Sequence, residues 1–319
     1  MKFSWRELPT PFFVLAPMED VTDTVFRQIV AKHGAPDVYI TEFTNTDALC
    51  SKGEENALQR LRFSEKERPI IAQIWGIHPK EYYEAAQKIV KLGFDGIDIN
   101  MGCPQRDVIK NGACAALIKN HALTKEILGA TRDGAEGLPL SVKTRIGYSK
   151  VETEDWIGFL LEQHLDALTI HARTVREMSA VPAHWGEVKT TVLLRDKKQV
   201  GTVIVGNGDV ADKKDGRGKA AKTGADGIMI GRGIFHNLFA FREDSDVWHN
   251  LPLLEKLTIL KQHVTLYKST WGARKNFPVL KKFFKIYING FENASAIRMQ
   301  FMATSTPDEA IALADQLLA

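Results

Sequence analysis

Short apolar runs rich in β-branched residues recur along the chain. They stand at FFVLA (12–16), VYITE (38–42), IIAQIW (70–75), GIDIN (96–100), LSVKTRI (140–146), ALTIHA (167–172), TVIVG (202–206) and GIMIG (227–231). Each is nearly continuous in apolar character rather than alternating, the pattern of parallel strands buried on both faces. The segments between them carry a helical period. In EYYEAAQKIVKLG, Tyr83, Ala86, Ile89 and Val90 share one face and Gly93 is placed to cap the end. Eight such strands alternating with helices over about 230 residues predict an α/β fold, a (β/α)8 TIM barrel. A doubly wound open sheet is the competing arrangement.

Beyond the last of these runs the pattern changes. Segments 253–267 and 279–288 are helical in period. Within 279–288 the residues Val279, Leu280, Phe283, Phe284, Tyr287 and Ile288 form one apolar stripe, with Lys281, Lys282 and Lys285 opposite. Thr306-Pro307-Asp308-Glu309 reads as a capping box with proline in the first turn, opening a final helix. The expectation is a catalytic barrel over residues 1–245 and a small all-helical domain over 246–319.

Charge sharpens this division. The net charge is only +3, yet from Lys261 to Arg298 eight Lys and Arg face a single acid, Glu292. Residues 299–319 carry three acids and no Lys or Arg, which leaves residues 1–260 near −1. Positive charge gathered in one late segment points to a polyanionic partner, against the plainer alternative of a solvated helix face. The composition, 44% hydrophobic and 25% charged, is that of a globular protein. The opening MKFSWRELPTPFFVLAP holds no apolar run long enough for a signal peptide or membrane span, so no membrane partner is expected. Cys50, Cys103 and Cys114 are too few for a disulfide framework and lack metal-knuckle spacing. They suggest a reducing cytoplasm and no metal.

In a barrel, chemistry collects where strands end at the C-terminal face. The strand ends here carry Ala16-Pro17-Met18, Thr41-Glu42, Gln73, Asn100 with Cys103, Lys143 with Arg145, His171 with Arg173, Asn207-Gly208-Asp209 and Gly231-Arg232. Buried polar groups cost free energy unless partnered, so this many on one rim argue for a site. Gly206-Asn207-Gly208 and Gly231-Arg232-Gly233 follow the last two strands, where barrels often hold phosphate on backbone N–H groups. Arg232 would add a charged fork. Tight turns are the other reading of these glycines. Cys103, held between Gly102 and Pro104 on a polar rim, suits a reactive thiol. Cys114, in the run GACAAL, is expected to be a packing residue, and Cys50 has no neighbour that suggests a role.

Together these strings resemble the tRNA-dihydrouridine synthase family. The matching segments include LAPMEDVTDTVFR (15–27), DGIDINMGCPQRDVIKNGACAALIKN (95–120), SVKTRIG (141–147), TIHART (169–174), VGNGDV (205–210) and GADGIMIGRG (224–233). The resemblance implies an enzyme that reduces a uridine of tRNA to dihydrouridine with bound FMN and NADPH as reductant; ribosomal RNA is the alternative substrate. It implies that Pro17 and Met18 lie against the flavin ring, that Gln73 and Lys143 meet its edge, and that His171, Asn207, Gly208, Asp209, Gly231 and Arg232 hold its phosphate end. Cys103 would be the general acid, with Asn100 and Arg145 on the target uracil and Lys281, Lys282 and Lys285 on the RNA. Hydride at C6 and a proton at C5 require a donor on each side of the base, and the base must leave its stack. The protein is expected to act as a monomer.

The chain departs from the family pattern after HART, where Glu177, Ser179 and Val181 stand in place of the usual glutamine, tyrosine and glycine. Cys114 replaces a usual glycine. The rival readings are an FMN barrel that reduces a free pyrimidine or an enone, and a catalytically silent RNA-binding barrel.

Overall fold

The computed structural model describes residues 3–319. Among the described residues nine parallel strands are present: β1 (Phe12–Leu15), β2 (Val38–Ile40), β3 (Thr44–Asn45), β4 (Ile70–Trp75), β5 (Gly96–Met101), β6 (Leu140–Arg145), β7 (Ala167–His171), β8 (Val203–Asn207) and β9 (Gly227–Ile230). Eight of them close on themselves, because β1 pairs with both β2 and β9 while β2 pairs with β4 through Tyr39 and Ile70. The result is a (β/α)8 barrel. Strand residues are buried almost throughout, as continuous apolar runs require when helices cover the outside and side chains fill the inside. The two-residue β3 beside β4 has no counterpart in the hydrophobic pattern.

Helix Pro79–Leu92 does end on Gly93 in the left-handed conformation (φ 78°). Its buried face matches the expected one only in part: Ala86 and Ile89 are buried, but Tyr83 and Val90 are not. Tyr82, Ala85, Ala86 and Ile89 point inward, while Tyr83 is 39% exposed. Both sets satisfy an i, i+3, i+7 spacing; the choice falls on Tyr82 because its ring is wholly buried and its hydroxyl donates to the Gly76 carbonyl at 3.4 Å.

The C-terminal quarter is helical. Helix Leu253–Trp271 packs on helix Thr24–Gly34 of the barrel, where the ring of Phe26 lies 5.8 Å from that of His263 and 4.8 Å from that of Phe283 in the following segment, between centroids. The segment expected as one helix over 279–288 is a 3-10 run, Phe277–Phe283, followed by a single α-turn, Phe284–Tyr287. Pro278 in the first turn and a crowd of aromatic side chains favour this tighter, irregular path. Leu280, Phe283, Phe284, Tyr287 and Ile288 are buried as the stripe predicts, Val279 is only half-buried, and Ile286 is buried as well. Helix Pro307–Leu318 opens with half of the expected box: the Thr306 hydroxyl accepts from Glu309 N–H, but the Glu309 carboxylate reaches Ser305 N–H. No helix among the described residues is long and apolar enough to cross a membrane.

Candidate active site

The ends of β1, β6, β7, β8 and β9 surround a cavity of about 510 Å³ at the C-terminal face. Parallel register brings its polar residues level: Lys143 of β6 lies beside Asn100 of β5, and His171 of β7 lies between Arg145 and Asn207. Pro17, Met18, Lys143, His171, Asn207, Gly208, Asp209, Gly231 and Arg232 all line the cavity. Ser179 and Arg173 line it too. Gly208 has φ 128°, and a Cβ there would stand 2.8 Å from the Ala183 side chain, so the turn admits only glycine without strain.

The cavity is rich in cations. Lys143 donates to Asn207 Oδ1 at 3.3 Å, and burial, then the nearby Arg145, push its pKa down to about 8. Arg173 pairs with Asp209, which also accepts from Arg232 at 3.3 Å and Ala183 N–H at 2.9 Å. The Arg173 contact, ahead of the others, holds the Asp209 carboxyl below its ordinary range. His171 is held far below its ordinary pKa, first by burial and then by Lys143, Arg145, Arg173 and Arg232, so it is neutral. Its Nε2 faces an Arg173 N–H at 3.3 Å, which makes Nε2 the acceptor and leaves the proton on Nδ1. One carboxylate among these cations leaves a surplus of positive charge suited to an anion.

Gln73 does not line the cavity; it is buried beneath it in a chain of hydrogen bonds. Ser141 Oγ donates to Asp98 Oδ1 at 2.7 Å, and Gln73 Nε2 donates to Asp98 Oδ2 at 2.7 Å. Asn100 Nδ2 donates to Gln73 Oε1 at 3.0 Å, and Asn100 Oδ1 accepts from the Gly102 and Cys103 N–H groups, both at 3.0 Å. Burial raises Asp98 to about 6 against the pull of its Ser141 and Gln73 donors. The chain thus runs from the barrel interior to the backbone of Cys103. Arg145 is equally committed to loops: it donates to the carbonyls of Gly102, Thr174 and Met178 at 2.8–3.0 Å. Asn100 and Arg145 therefore brace the loop that carries Cys103.

Cys103 is half-buried at that loop, in a pocket formed with Trp75, Ile77, Val108, Ala113 and Cys114. Its pKa drops to about 7 because the neighbouring Cys114 thiol donates toward it, helped by Gln105 N–H and Arg145, against the effect of burial. Cys114 is wholly buried and packed, as expected, but its neighbour is Cys103, eleven positions away in the sequence. Cys50 lies elsewhere, its thiol on the Glu81 carbonyl at 3.6 Å.

The three lysines of the helical region lie outside the cavity and do not share one free face. Lys281 Nζ donates to the Met302 carbonyl at 2.7 Å, and Lys282 Nζ donates to the Asp20 carbonyl at 2.6 Å, in the loop that carries Met18. Lys285 is exposed, with no side-chain hydrogen bond or ion pair among the described residues. Asp98, Ser141 and Cys114 have no place in the sequence-derived site. The first two sit inside strand runs that look purely structural, and Arg173 was visible only as a strand end.

Residues 14–319 match the sequence model of the dihydrouridine synthase family. The chain is 46% identical over 315 residues to the probable tRNA-dihydrouridine synthase of Staphylococcus aureus (strain COL), covering 98% of this chain and 94% of that protein. It is also 46% identical over 315 residues to the probable tRNA-dihydrouridine synthase 2 of Bacillus subtilis (strain 168), covering 98% and 95%. Among solved structures, histamine dehydrogenase from Rhizobium sp. 4-9 aligns with a TM-score of 0.57 at 12% identity, over 80% of this chain and 48% of that one. That likeness shows the barrel fold alone.

Proposed function

The chain belongs to the dihydrouridine synthase family, a family of enzymes, and from that premise we propose that it reduces a uridine of tRNA to 5,6-dihydrouridine, with FMN as cofactor and NADPH as reductant. The observation that carries the cofactor reading is the cation surplus at the ends of β7, β8 and β9. A flavin with a terminal phosphate supplies a second anion for Arg173 and Arg232, which share the single carboxylate of Asp209, with neutral His171 beside them and Gly208 and Gly231 leaving backbone open to it. Pro17 and Met18 form the apolar side of the same cavity, where a ring fits, and Lys143 is the cation that would face the ring edge. Gln73 serves that edge from below, through the chain it makes with Asn100.

Bound flavin supplies hydride for uracil C6. The proton for C5 comes from Cys103 Sγ, whose loop is fixed by Asn100 and Arg145 so that the thiol meets a base held at the mouth. RNA is favoured over a free pyrimidine or an enone by the names of the relatives and by the basic segment Lys261 to Arg298. We assign catalysis to residues 1–245 and RNA binding to 246–319, acting as a monomer in the cytoplasm.

Replacing Cys103 by alanine tests the assignment. The variant should keep flavin bound and reducible by NADPH, while uridine reduction falls on the order of 10²–10⁴-fold, a general-acid factor. Wild-type turnover in Cys103→Ala would remove the acid role. A purified protein that is colourless and takes up no flavin on reconstitution would favour the silent RNA-binding barrel.

A further inference from the structure

Two of the three cysteines meet in space. Cys114 opens the 3-10 helix Cys114–Lys119, is wholly inaccessible, and has a left-handed backbone (φ 50°) that turns it back toward the β5 loop. There it shares one apolar cluster with Val108 and Ala113, against which Cys103, Trp75 and Ile77 pack, close enough for each thiol to shift the pKa of the other. Cys103 is the outer member, partly exposed, and Cys114 is the inner, buried one. The two thiols differ in character as well as position. Cys114, then Gln105 N–H and Arg145, favour the thiolate of Cys103 against burial, whereas burial, ahead of the neighbouring Cys103, raises Cys114 well above its ordinary pKa. An accessible, thiolate-prone sulfur with a second thiol at its back is the arrangement of a peroxide-attacking cysteine and its resolving partner.

We propose that Cys103 and Cys114 form an oxidation-sensitive dithiol that closes to a disulfide in the presence of a hydroperoxide and reopens with thiol reductants. The Cys103 thiolate attacks one peroxide oxygen. An S–O bond forms, the O–O bond breaks, and the departing oxygen takes a proton and leaves as water or alcohol. Sulfur is thereby oxidised by two electrons to the sulfenic acid. The Cys114 sulfur then attacks it: the S–S bond forms, the S–O bond breaks, and hydroxide leaves with the Cys114 proton as water. Two thiols and one hydroperoxide yield one disulfide, with the peroxide fully reduced. The apolar cluster keeps a second peroxide from reaching the sulfenic acid before Cys114, which spares Cys103 from irreversible over-oxidation. The effect on activity rests on the acid role proposed for Cys103; the bond itself does not.

The test treats the holoprotein with hydrogen peroxide and reads the cysteines directly. Trypsin cuts after Arg106 and Lys110, so the two thiols fall in separate peptides, 92–106 and 111–119. The expected product is these two peptides joined and lighter by two hydrogen atoms, separated again by dithiothreitol. Uridine reduction should fall in step with the cross-link, by about the 10²–10⁴-fold of the Cys103→Ala variant, and return with dithiothreitol. In Cys114→Ala, peroxide should carry Cys103 to sulfinic acid, and dithiothreitol should no longer restore it. Cys50→Ala should behave as the wild type, since the Cys50 thiol is pushed up to about 11 by burial and bonded elsewhere. Sulfinic Cys103 beside a free Cys114 in the wild type, or a cross-link through Cys50, overturns the proposal. Because the peptide readout needs no turnover, a cross-link that leaves uridine reduction intact overturns the acid role and not the dithiol.

Discussion

Lys143 and Arg232 carry charge into one cavity from opposite surroundings. Arg232 is largely exposed, its side chain 63% accessible, and among the described residues its one side-chain partner is the shared Asp209. Lys143 sits deep, with its charge already weakened by burial. Removing Arg232 should therefore act on affinity alone: loss of a charge-assisted phosphate bond costs about 1.5–3 kcal/mol, so FMN in Arg232→Ala should bind tenfold or more weakly, measured by fluorescence titration. Lys143→Ala should also slow flavin reduction by NADPH and alter the flavin spectrum, and an unchanged spectrum and reduction rate would refute its place at the ring. Cys103 makes a pH prediction at the same scale. A general acid works only when protonated, and this thiol has been lowered to about 7. The rate of uridine reduction by pre-reduced enzyme should be level below that pH and decline above it. Since Cys114 is the largest cause of the lowering, the declining limb should move to higher pH in Cys114→Ala. A profile flat to pH 9 in the wild type would exclude Cys103 as the proton source.

Elements are held to one another by a few buried polar joints, which set how the sequence can be understood. Arg27, on helix Thr24–Gly34, pairs with Glu67 at 2.5 Å with both side chains wholly buried. Every remaining polar atom finds a partner: Arg27 donates to the carbonyls of Thr22 and Arg62, and Glu67 accepts from Thr24 and from Ser64 N–H. Glu67→Ala strands an uncompensated charge and should lower unfolding free energy by about 3–5 kcal/mol in urea denaturation. A loss under 1 kcal/mol would mean that water reaches Arg27. Joints of this kind are invisible in a hydrophobic pattern, because Arg27 and Glu67 look like surface residues until the fold buries them. Strands are legible for the opposite reason: two-sided burial forces whole runs such as IIAQIW to be apolar, and their ends must carry the rim. Helices with one buried face leave their phase open, hence Tyr82 rather than Tyr83. The site divides the same way. Lys143, His171 and Asn207 show at strand ends, whereas Asp98 and Ser141 are hidden mid-strand, and the meeting of Cys103 with Cys114 depends on a loop path that spacing does not encode.

At the scale of the whole molecule the question is how a barrel mouth and a basic helical region act on one RNA. Lys282, through its bond to the Asp20 carbonyl, joins the helical region to the β1 loop, whose other contacts include Met18 N–H on Thr22 Oγ1 at 2.8 Å. Trp271 and Lys275 reach Asp23 in the same loop at 2.8 and 3.0 Å. The helical region thus braces the cavity wall as well as offering charge, and its lysines should separate by role. Lys285 has no side-chain partner to lose among the described residues, so Lys285→Ala should weaken tRNA binding and lower the log–log salt slope by roughly one while flavin content stays unchanged. Lys282→Ala should do the same to binding only if it gives up Asp20 for a phosphate; its distinguishing effect is easier flavin loss, because the Met18 loop loses an anchor. Lys281, committed to the Met302 carbonyl at the end of helix Ala294–Ala303, should change stability more than binding. Titrating tRNA at several salt concentrations against each single variant resolves the three. Equal slopes for Lys285→Ala and the wild type would take this segment out of the interface and pass the contact to other cations of the basic stretch, Arg274 among them, since the charge surplus of residues 261–298 is the feature that points to RNA.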